Sequence, residues 1–65
     1  MITPEELTTL RRKHDLTQLE AAMLVHGSVR MWGQFESGEA LKHTKRKLNN
    51  YKARTELFIY KIKEL

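Results

Sequence analysis

The apolar positions of the chain recur at helical spacing, and caps and breakers divide it into helices. Thr3, Pro4 and Glu6 form a helix start, with threonine as N-cap, proline at the first helical position and glutamate completing a capping box. Leu7 and Leu10 are the apolar face of that helix. The run Arg11-Arg12-Lys13-His14 falls in its last turn, where cations favour the helix dipole, and the helix is expected to end near Asp15. Thr17 and Glu20 form a second capping box, opening a helix whose inward stripe is Ala21, Ala22 and Val25. Gly27 breaks it, Ser28 is the next N-cap, and the third helix carries Trp32 and Phe35 inward, with Val29 a candidate beside them, before stopping at Gly38. Two short helices, expected at about 17–26 and 28–37, with a glycine-containing turn between them, make a helix-turn-helix.

The remainder has another rhythm. Leu41, Thr44, Leu48, Tyr51, Thr55, Phe58, Ile62 and Leu65 are separated by alternating intervals of 3 and 4, a heptad seam interrupted only by two threonines. The expectation is one amphipathic helix from about 44 to 64 with Thr44 as N-cap, and Asn49-Asn50 is where a break costs least. The fold class expected is all-α: a single compact helix-turn-helix domain over residues 1–65 with a long amphipathic C-terminal helix.

Composition sharpens this picture. Twelve Lys and Arg against eight Asp and Glu give a formal net charge of +4, which points to a polyanionic partner. There is no cysteine, hence no thiolate nucleophile, no Cys-based metal site and no sign of an oxidising compartment. His14, His26 and His43 lack metal-ligand spacing, so no metal or other cofactor is expected. No apolar run approaches the roughly 20 residues of a membrane span, and the expected setting is the cytoplasm. A chain this short buries only about 60% of its unfolded surface. Enclosing a substrate usually takes more chain, so neither an enzyme nor a small-molecule site is expected.

Leu10-Arg11, Leu16-Thr17-Gln18, Ala21-Ala22 and Trp-Gly-Gln-Phe-Glu-Ser-Gly at 32–38 together carry a resemblance. The segment from about Leu7 to Gly38 resembles the Cro/CI-type (XRE-like, lambda-repressor-like) helix-turn-helix domains of phage repressors and related bacterial regulators. Its small size is also similar to that of phage-borne operon repressors, anti-CRISPR-associated regulators among them. The resemblance implies a homodimer on double-stranded DNA with the third helix in the major groove of an inverted-repeat operator, and repression by promoter occlusion, including that of its own operon.

Residue by residue, the resemblance places Ser28, Val29, Arg30, Gly33 and Gln34 at base edges. Arg30 suits guanine O6 and N7, and Gln34 suits adenine N6 and N7. The resemblance puts Gln18 on a phosphate, which the N-terminus of a helix also favours on physical grounds. It makes Lys42, Lys45 and Arg46 backbone clamps, for which a solvated basic face is the competing reading. Arg11 and Glu36 are implied to form a partly buried ion pair joining the first and third helices. The chain departs from the family in the turn, where a glycine is usual at His26 and a hydrophobic residue at Gly27. A turn displaced by one residue is therefore open.

Leu57, Phe58, Tyr60, Ile62 and Leu65 make the C-terminus apolar on more than one face. The expectation is that one face covers the core and another pairs with a second subunit, with these five as the dimerisation set. Two rival functions stand beside the repressor: an antitoxin whose apolar C-terminus masks a toxin, and a protein-interaction adaptor using the helix-turn-helix as scaffold.

Overall fold

Each of the first three helices opens on a hydroxyl side chain that accepts a backbone N–H. The computed structural model describes residues 1–42 and 44–65. His43, one of the histidines weighed above, lies outside the described residues. Helix α1 spans Pro4–Lys13, α2 Gln18–Leu24, α3 Val29–Ser37 and α4 Lys45–Ile62, with one 3-10 turn at Glu39–Leu41. The described residues contain no strand, and the fold is all-α.

Thr3 Oγ1 accepts the Glu6 N–H at 3.1 Å while Glu6 Oε1 accepts the Thr3 N–H at 2.9 Å. The same reciprocal box opens α2, with Thr17 and Glu20 at 3.1 and 2.8 Å. Both glutamates are held below the ordinary carboxylate value by these hydrogen bonds from the threonine backbone and hydroxyl. Ser28 Oγ accepts the Met31 N–H at 3.1 Å and opens α3. Gly38 closes α3 in the left-handed conformation, at φ 84°.

The α2–α3 turn passes through one left-handed residue. The left-handed residue is His26, at φ 58°, and α2 stops at Leu24 rather than 26. Gly27 serves differently: a β-carbon there would lie 2.0 Å from Met31 Cε. Met31 thus reaches back over the turn and fills the space beside Gly27.

The core comprises Leu7 from α1, Ala21 and Ala22 from α2 with Val25 just past its end, Trp32 and Phe35 from α3, Ala40, and Tyr51, Phe58 and Ile62 from α4. Trp32 meets Phe58 edge-on with centroids 4.9 Å apart, and Phe35 meets Tyr51 at 5.1 Å and 85°. These arrangements favour the ring quadrupoles. The alanines of α2 let α3 approach closely.

Helix α4 runs through Asn49-Asn50 unbroken, with Asn50 Oδ1 accepting from Arg54 Nε one turn on at 3.2 Å. Thr55 lies in the buried seam because its hydroxyl donates to the Tyr51 carbonyl at 2.8 Å, leaving no unpaired polar group. Phe58 and Ile62 are 0% and 5% exposed against the chain's own helices. Their assignment to a second subunit is thereby corrected, since both side chains pack into the core of the same chain. Of the proposed set only Tyr60 and Leu65 stand exposed, while Leu57 is half-buried against the core.

Candidate nucleic-acid interface

What fixes α3 relative to α1 and α2 is one carboxylate. Glu36, near the end of α3, accepts Arg11 Nε on Oε2 at 2.6 Å and Arg11 Nη2 on Oε1 at 3.1 Å, a bidentate pair. Gln18 Nε2 from the start of α2 also donates to Oε1, at 3.1 Å, and Trp32 Nε1 donates to Oε2 from the preceding turn of α3. The remaining reach of Arg11 goes to the Leu16 carbonyl at 2.7 Å, tying in the α1–α2 turn. The two charged side chains are only 11% and 8% exposed. Burial pushes the Glu36 carboxyl up, but hydrogen bonds from Arg11, Gln18 and Trp32, with the arginine charge, outweigh it and hold the group below its ordinary value. Of the expected site residues, Arg11 and Glu36 are brought together in the expected way. The roles of Gln18 and Trp32 in the same cluster were not legible, since a sequence does not show which polar atoms a fold will bring to one carboxylate.

With α3 so held, Trp32 and Phe35 face inward and the opposite surface faces out. Arg30 is exposed, Gln34 is half-buried, and Val29 is 46% exposed. Arg30 and Gln34 are one turn apart on the same side of the helix. A β-carbon built on Gly33 meets no atom within 4 Å, so neither packing nor backbone conformation requires glycine there. Ser28 is exposed, but its hydroxyl is already engaged as the α3 cap. The five residues assigned to base edges thus span the cap and first two turns of one helix.

The residues assigned to phosphates are divided. Lys42, Lys45 and Arg46 are all exposed, in the segment leading into α4 and in its first turn. Gln18 is half-buried, and its amide nitrogen is committed to Glu36. Any outward contact from Gln18 therefore falls to its carbonyl-side atoms, its second amide hydrogen or its backbone.

Two contacts steady this surface from behind. Arg54 of α4 donates through Nη1 to the Val25 carbonyl, satisfying the C-terminal end of α2. Tyr51 donates to the Ile2 carbonyl at 2.8 Å, pinning the N-terminal segment, and burial with the charges of Glu5 and Glu6 pushes its hydroxyl pKa up. Arg54 had no sequence signal beyond its charge. Leu19 and Met23, one turn apart on α2, stand 53% and 65% exposed, and their outward placement carries no sequence signal.

Among the described residues no pocket opens in the surface, no cluster of potential metal ligands forms, and no helix is long and apolar enough to cross a membrane. The chain matches no family model, and neither a curated protein nor a solved structure proves similar to it.

Proposed function

We propose that this chain is a dimeric, sequence-specific repressor of transcription that lays α3 into the major groove of an inverted-repeat operator on double-stranded DNA. The observation that carries the reading is the outward face of α3. Two side chains suited to bidentate base recognition, Arg30 and Gln34, flank a glycine that no internal contact requires. The net charge of +4 and the exposed Lys42, Lys45 and Arg46 supply the electrostatic attraction such a face needs. The tight Glu36 cluster gives α3 the rigid seat that groove insertion demands. Half-sites one helical turn apart, roughly 10 bp, fit a two-fold dimer of this size, with Tyr60 and Leu65 the apolar groups available for pairing.

The test is in vitro selection from random duplexes followed by binding with the Arg30→Ala and Gln34→Ala variants. Each lost base contact is expected to cost ~1–3 kcal/mol of discrimination while leaving the fold intact. Undiminished discrimination by both variants overturns the assignment of α3. A second reading, a protein-interaction or antitoxin role, is favoured by the exposed Leu19 and Met23 together with Tyr60 and Leu65. It predicts a stable complex with a protein encoded beside it and no preferred duplex.

A further inference from the structure

Val29 and Gly33 are the two residues of α3 that the fold does not account for. Val29 occupies the first position of the helix, is 46% exposed, and belongs neither to the core nor to the half-buried apolar shell around it. A β-branched residue is a poor helix former, and here nearly half of its surface stays open to solvent instead of joining the core. Gly33, one turn later on the same side, is poorer still, and a side chain there would enter open space. Two adjacent positions that both weaken the helix and contribute nothing inside it point outward. Together they make a low, apolar strip beside the taller polar ridge of Arg30 and Gln34.

Resting on the interface proposed above, we infer that Val29 determines specificity by reading the C5-methyl group of a thymine in each half-site, and that Gly33 keeps the helix low enough for the base edges to come within reach. The chemistry selects this partner. Among the groups that base pairs present in the major groove, the thymine methyl is the apolar one, while guanine, cytosine and adenine present hydrogen-bonding atoms there. An exposed isopropyl group next to two hydrogen-bonding side chains therefore complements a thymine adjacent to the bases that Arg30 and Gln34 take. Val29 makes no hydrogen bond, so its contribution is contact with the methyl alone.

Replacing one thymine at a time by deoxyuridine in the selected duplex removes that methyl and nothing else. Wild-type protein is expected to bind about fourfold more weakly when the critical thymine of a half-site is exchanged, as burial of one methyl group predicts. Val29→Ala is expected to bind the thymine and uracil duplexes equally, and Val29→Thr, which keeps one methyl, to restore part of the difference. Val29 being exposed, the variants are expected to melt like the wild type. Wild-type indifference to every exchange, or an unchanged penalty in Val29→Ala, overturns the inference and leaves the DNA interface standing. Failure to select any preferred duplex overturns both.

Discussion

The first three helices and α4 begin in opposite ways. Thr3, Thr17 and Ser28 each cap a helix through the side chain, and glutamates in the first turns of α1 and α2 complement the helix dipole. Helix α4 opens on Thr44, whose side chain caps nothing, and its first turn holds Lys45, Arg46 and Lys47 with no acidic residue. Cations at that end oppose the dipole by ~0.3–1 kcal/mol each at low salt. Yet α4 is the longest helix, at 18 residues. The short helices are stabilised by signals within a few residues of their ends. Helix α4 is stabilised by burying Tyr51, Thr55, Phe58 and Ile62, and that burial tolerates a start charged against its own dipole. A positively charged helix start left without an internal partner of opposite sign in its own first turn suits an external polyanion, in keeping with the proposed role of Lys45 and Arg46.

The strongest way to break this contrast is to remove the packing on which α4 depends. Phe58→Ala is expected to cost ~3–5 kcal/mol, comparable to the entire stability a core this small usually supplies. Circular dichroism should then show a largely unfolded chain. Tyr60→Glu, on the other side of the same helix, should shift stability by no more than about 0.5 kcal/mol while lowering the assembly state seen by sedimentation. A Phe58→Ala protein that melts with the wild type contradicts the account of α4.

Next in size is the Glu36 cluster, on which the N-terminal half depends. Arg11→Ala strands a carboxylate that is 8% exposed and is expected to cost ~3–5 kcal/mol at neutral pH. The folded pKa of Glu36 is depressed, so its contribution is present above the ordinary glutamate value of about 4.3 and is lost as pH falls through the lower folded value. Thermal melts of the wild type across the acid range should show that loss only below the ordinary value. In Arg11→Ala the stranded carboxylate is relieved by protonation, so acidification should recover part of the lost stability, and a variant that loses stability with falling pH as the wild type does counts against the cluster as described.

Gly33→Ala separates fold from binding. Filling open space on a helix is expected to stabilise the protein by up to ~1 kcal/mol, yet it should weaken binding to the selected duplex. Stabilisation with unchanged binding leaves the glycine without a functional reason. The smallest effect concerns the α4 start itself. Arg46→Glu is expected to raise stability by ~0.3–1 kcal/mol through the dipole, and to lower the slope of log affinity against log salt by at least ~0.9. If it destabilises the helix instead, the first turn is held by something other than α4's buried stripe.

Much of this architecture was determined by sequence alone, because its causes are local. The two capping boxes, proline at the start of α1, the Ser28 cap and the Gly38 stop each act within about four residues, and all are found where the pattern put them. The seam spacing likewise located one long helix, because a stripe at 3 and 4 residues faces one side whatever it packs against. The pattern could not say which partner that stripe meets. Phe58 and Ile62 turned inward because three short helices leave an apolar surface that only α4 covers, so the surface left for a second subunit shrank to Tyr60, Leu65 and the edge of Leu57. Tertiary structure alone decided that His26 takes the left-handed turn while Met31 fills the space at Gly27. It also decided that Gln18 and Trp32 join Arg11 on a single carboxylate, and that Arg54 closes the end of α2. Those pairings link atoms from different helices. Their geometry exists only once the helices have docked, so no spacing along the chain encodes it.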